Sequence, residues 1–115
     1  MRKIAKINNE LEGYTRLDSL DGQNNNIWIN NSIVNELIVD LNKDIEYKSI
    51  SFVGHAINMD IEKDYECDSL SEFKYENIAV YRALEYLQED VHGYLIDIDD
   101  SEDFAEIIID KIILN

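Results

Sequence analysis

Apolar residues recur along this chain at two spacings, and the spacing divides it into elements. Ile33, Leu37, Ile38 and Leu41 repeat at three and four residues, which predicts a helix from about Ile33 to Leu41 with Ser32 as its N-cap. Val80, Leu84, Leu87 and Val91 predict a second helix from about Asn77 to Val91, with Gly93 placed for its C-terminal turn. Phe104, Ile107, Ile108 and Lys111 suit a third, from about Glu102 to Ile113 with Ser101 as its cap; the run Ile107-Ile108-Ile109 is the lesser argument, for a strand in its place. Alternation marks the strands. Gly13–Leu17, Ile27–Ile29 and Tyr94–Ile98 are short, whereas Tyr47 to Ile61 is long, with Val53, His55, Ile57, Met59 and Ile61 on one parity and Asn58, Asp60 and Glu62 on the other. Ile50 and Phe52 share the second parity, so the early part of this segment reads as buried on both faces. A bend near Gly54, or a turn at Glu62-Lys63-Asp64 that makes residues 50–66 a hairpin, would accommodate its length. Arg2–Ile7 reads as an edge strand or a helical turn. Asp21-Gly22 opens a polar loop, and Ser69-x-x-Glu72 has the form of a capping box.

The order of elements suits one domain over residues 1–115. Its expected class is α/β (α+β): a two-layer sandwich in which about three helices pack on one face of a mixed or antiparallel sheet of about four or five strands. The uncovered face is expected to be polar.

Charge changes this picture more than any motif does. The 115 residues include 25 Asp and Glu against 10 Lys and Arg, a formal net charge of −15. The first sixteen residues carry a net +2, which leaves −17 for the rest, and from Glu85 to Asp110 there are ten acids with no Lys or Arg. Such a balance repels nucleic acid and anionic membrane and attracts basic proteins. An apolar content of 45% separates the chain from disordered acidic sequences.

Two acidic stretches stand out. In Asp60-Ile61-Glu62-Lys63-Asp64-Tyr65-Glu66-Cys67-Asp68 every even position is a carboxylate, so an extended backbone would set five of them along one face at a spacing of ~6.6 Å. The wet face of an amphipathic strand explains the same pattern without a partner. Asp97, Asp99, Asp100, Glu102 and Asp103 form the second stretch, at an expected strand-to-helix junction. Acids at a helix N-terminus are favourable within the fold, whereas like charges on one strand face repel, so Asp60, Glu62, Asp64, Glu66 and Asp68, with Tyr65 among them, are the stronger candidate for binding.

The chemistry of catalysis is sparsely represented. A calcium loop begun at Asp97 would need Gly at Glu102 and Glu at Ile108, and one begun at Asp99 would place Phe104 sixth; both fail. The lone Cys67 excludes an internal disulfide, and its neighbours Glu66 and Asp68 oppose thiolate formation. His55 falls on the apolar parity of a strand, and His92 falls at an expected helix C-terminus. Neither belongs to a zinc-protease motif, and no phosphate-binding glycine loop is present. The expectation is a protein that is not an enzyme and needs no metal or cofactor.

Tyrosine, with seven copies, offers interface area with a polar tip. Tyr81 and Tyr86 are expected to flank the core, while Tyr65 and Tyr75 sit among acids. In size and charge the chain resembles the small acidic immunity proteins of bacterial toxin systems, contact-dependent inhibition among them. That resemblance, of class rather than motif, implies an inhibitor whose partner is a basic toxin nuclease domain. A phage-encoded mimic of DNA that blocks a defence nuclease or DNA-binding protein is the alternative, and an acidic adaptor without inhibitory role is a third. No leader or apolar span is evident, and the expectation is a cytoplasmic monomer of bacterial or phage origin, without membrane or direct nucleic-acid contact.

Overall fold

The computed structural model describes residues 12–17, 27–41, 45–58, 67–98 and 105–115. They form a mixed sheet of five strands with two helices against it. The strands are β1 (Tyr14–Arg16), β2 (Ile27–Asn30), β3 (Glu46–Asn58), β4 (Cys67–Ala79) and β5 (Ala105–Leu114); the helices are α1 (Asn31–Leu41) and α2 (Val80–Ile98). Across the sheet the order is β1-β2-β5-β3-β4. Only the β2–β5 pair is parallel.

Both helices face one layer of the sheet, as the two-layer reading expected. On α1, Ile33, Val34 and Leu37 point inward; on α2, Val80, Ala83, Leu84, Leu87 and Val91 form the apolar stripe. They meet Leu17, Ile27, Ile29, Ile50, Phe52, Ala56, Ile107 and Ile109 from the strands. A smaller cluster of Trp28, Ile57 and Ile108 occupies the opposite face, with Tyr14 against it. The parity of β3 is therefore the reverse of the expectation: Ile50, Phe52 and Ala56 line the main core, and Ile57 lies on the second face. Ser49 and Ser51 are buried as well, so the early part of β3 is enclosed on both sides.

Several boundaries differ from the sequence reading. The cap of α1 is Asn30, whose Oδ1 accepts from both the backbone N–H and the hydroxyl of Ser32, so the helix begins earlier than Ile33. The Ser69–Glu72 capping box lies within β4, where pairing with β3 prevails. The helix expected from Asn77 begins at Val80, because Asn77 adopts a left-handed backbone (φ 50°) inside β4. Inward-facing side chains change parity across it, from Phe73 and Tyr75 to Ile78.

The largest corrections concern the last third. Tyr94–Ile98, expected as a strand, completes α2: Tyr94 and Leu95 lie three and four residues beyond Val91 and extend its stripe onto the core. Gly93 is interior to the helix and exposed, a cost of about 1 kcal/mol relative to Ala that the longer packed face offsets. The helix expected over residues 102–113 is instead β5, between β2 and β3. A strand paired on both edges needs an apolar, β-branched run, and Ile107-Ile108-Ile109 supplies it.

One irregularity fixes the sheet's geometry. The β3–β5 register shifts between Val53, opposite Lys111, and Gly54, opposite Ile109, which leaves Asp110 as the extra residue of a bulge. Core-facing positions on β5 pass from Ile107 and Ile109 to Ile112 and Leu114. Asp110 and Lys111 are both exposed, and the irregularity opposite Gly54 lies in β5, while β3 pairs with β4 in unbroken register from Val53 to His55.

Candidate functional site

Most of the acidic residues singled out in the sequence lie outside the described residues: Asp60, Glu62, Asp64, Tyr65, Glu66, Asp99, Asp100, Glu102 and Asp103. Asp68 falls at the start of β4, in an extended backbone as expected, and Asp97 falls in the last turn of α2. The position of Asp97 overturns one argument. Its position is in the last turn of a helix and not at the N-terminus of a following one. The internal reason offered for the second acidic stretch therefore does not hold for it.

The described acids gather elsewhere. With the core stripe of α2 fixed by Val80, Leu84, Leu87 and Val91, the outward positions are Tyr81, Arg82, Glu85, Tyr86, Glu89 and Asp90, all exposed. Tyr81 and Tyr86 show 44% and 45% of their surface, so they stand on the solvent side and do not flank the core. Arg82 leans over the Tyr81 ring, 5.4 Å from its centre, and reaches Glu85 at 3.7 Å. Helical spacing already contained this surface, since 81, 85 and 89 are successive four-residue steps on the face opposite the core.

Beside this helix runs β4. Phe73 and Tyr75 point toward α2, where Phe73 meets Tyr94 edge-on and Tyr75 packs near Tyr86 with ring centres 6.1 Å apart. The Tyr75 hydroxyl donates to Asp90 at 2.8 Å. Burial is the main cause that raises its pKa, followed by that hydrogen bond and the charges of Asp90 and Glu89. Tyr75 is thus a strut between strand and helix. On the other face of β4, Glu72, Lys74 and Glu76 alternate in the open, with Leu70 68% exposed before them.

Two polar clusters occupy the sheet face away from the helices. Glu106 is 1% exposed; it accepts a hydrogen bond from the Trp28 indole and lies 3.4 Å from the Arg16 guanidinium, which stacks 5.0 Å from the Trp28 ring centre. A carboxylate so enclosed is a structural acceptor joining β1, β2 and β5. His55 Nδ1 lies 2.7 Å from Asp110 Oδ2, a pair made possible by the bulge. His55 has Ile108 and Leu70 as its cross-strand neighbours, so apolar side chains flank the pair in register. Among the described residues no group of three or more His, Cys, Asp or Glu is arranged to hold a metal ion, and no helix is long and apolar enough to cross a membrane. The sequence matches no protein-family profile, no curated protein and no solved structure.

Proposed function

We propose that this protein is an acidic inhibitor that binds and neutralises a basic enzyme, with an immunity protein directed against a nuclease toxin as its most specific form. The observation that carries the reading is the outward face of α2, where Tyr81 and Tyr86 stand exposed beside Glu85, Glu89 and Asp90 in a chain of net charge −15. A nuclease is cationic where it holds phosphate. An acidic face accelerates encounter with such a groove, and tyrosines fixed on a helix provide contact area at low entropic cost. In this reading the protein acts in the cytoplasm as a monomer, and its acidic stretches at 60–68 and 97–103 add to its negative charge.

The test is capture from the native host, followed by assay of the captured protein. The expected partner degrades nucleic acid alone and is silenced by stoichiometric addition of this protein. Glu85→Lys with Glu89→Lys, Glu62→Lys with Glu66→Lys, and Asp99→Lys with Asp100→Lys then map the surface, each after a check of folding. A partner without nucleic-acid activity, or inhibition indifferent to all three pairs, overturns the reading.

A further inference from the structure

Strand β4 is the last strand of the sheet among the described residues, and it is unusually long for one. Thirteen residues, against about five or six for an ordinary strand, pair with β3 on one side only. An edge of that length presents a row of backbone N–H and C=O groups able to hydrogen-bond a further strand. Its two flanks are both acidic. Glu72 and Glu76 border it on the sheet's open face, while on the helix side Asp90 of α2 accepts a hydrogen bond from Tyr75 of β4 and Glu89 is its exposed chain neighbour.

We infer that the outer edge of β4 accepts an extended, cationic segment of the partner, which joins the sheet as a sixth strand. Backbone pairing supplies the register, and side chains of alternate parity meet the two acidic flanks: one set faces Glu72 and Glu76, the other faces Glu89 and Asp90. Lys74 lies between Glu72 and Glu76, so the cations of the incoming strand belong opposite the glutamates and a neutral residue belongs opposite the lysine. A second copy of this chain is a poor occupant, because each copy carries −15 and would bring further acids to the same edge. The inference rests on the reading of the partner as basic, but it does not require a nuclease.

The test uses the full chain and synthetic peptides of about nine residues, long enough to pair along most of β4. One peptide alternates Lys with Val and Thr. A second has the same sequence with alternate backbone nitrogens methylated, which keeps the charge and removes strand pairing. A third carries Glu for Lys. Binding and residue-resolved amide hydrogen exchange are measured for each. The expected result is that the first peptide binds and slows exchange at alternate amides of β4, that N-methylation weakens it about tenfold or more, and that the Glu peptide does not bind. Glu72→Lys with Glu76→Lys should weaken the first peptide by a similar factor without changing the protein's own circular dichroism. Equal binding of the methylated peptide, or binding without protection of β4, shows attraction by charge alone and overturns the inference. Absence of binding overturns it too, as does a dimer in which β4 is protected before any peptide is added. Each failure leaves inhibition of a basic enzyme through α2 intact, so the two readings fall separately.

Discussion

Gly54 of β3 lies so near the backbone of Ile108 in β5 that a β-carbon on it would collide with the Ile108 carbonyl oxygen. The neighbouring atom is main chain of a central strand, which has little room to shift. Gly54→Ala should therefore destabilise the protein by about 2–3 kcal/mol. Urea denaturation checks this. A loss under about 0.5 kcal/mol, the scale of an ordinary surface change, would show that the strands separate easily at the bulge.

The buried Glu106 gives a prediction of a different kind. Glu106→Leu removes the acceptor of the Trp28 indole and the charge facing Arg16, and should cost about 3 kcal/mol. Arg16→Met in the same background should cost less than it does alone, since a charge then no longer faces an emptied, apolar pocket. Because the Arg16 side chain remains 23% exposed, solvent screening keeps this coupling near about 1 kcal/mol. A double-mutant cycle by denaturant unfolding measures it, and strictly additive losses would sink the account.

How much of this was legible in the sequence depends on which competition decided each segment. The α1 stripe is legible at Ile33 and Leu37, which have no rival periodicity and are both buried. The bulge opposite Gly54 was not legible, because its extra residue, Asp110, belongs to β5 and depends on how β3 and β5 pair. The end of α2 and the whole of β5 were not legible, since Tyr94–Ile98 and Ile107–Ile109 are both short apolar runs that suit a strand locally. Long-range pairing settles the matter: the slot between β2 and β3 accepts one strand, and the triple isoleucine fits it better than a segment holding Tyr94 and Asp97. The acidic site was legible as an excess of charge but not as a place. Glu85, Glu89 and Asp90 become a surface only once the core face of α2 is known.

The Tyr75–Asp90 contact ties stability to alkaline pH. The phenol's pKa is raised in the fold above its ordinary value of about 10, so its neutral form is favoured there. The associated stabilisation is complete below that ordinary value and is lost as pH rises from about 10 through the higher folded value. Tyr75→Phe should cost about 1 kcal/mol at neutral pH, the net worth of one hydrogen bond, and should lose stability less steeply above about pH 10. Urea midpoints of both proteins across that interval provide the check. Parallel pH profiles would mean that Tyr75 ionises in the fold as readily as in the unfolded chain.

Charge and aromatic groups on α2 should separate in the kinetics of partner binding. On the proposed reading Glu85 and Glu89 act at a distance, by raising the rate of encounter, and their field decays over about 10 Å at 0.1 M salt. Glu85→Lys with Glu89→Lys should therefore lower the association rate about tenfold at low salt, with the difference shrinking as salt is added. Tyr81 acts only on contact. Tyr81→Ala should leave association almost unchanged and raise dissociation about tenfold, as loss of a buried aromatic anchor does. It is the cleaner probe of the two tyrosines, because Tyr86 also packs near Tyr75 and its removal disturbs the strut to β4. Both changes lie on the solvent side of the helix, so unfolding free energies should stay within about 0.5 kcal/mol of the parent. Surface-immobilised partner and a salt series yield both rate constants. If Tyr81→Ala changes neither rate while the glutamate pair changes association, the partner is steered by α2 but seated elsewhere, and the edge of β4 becomes the place to look.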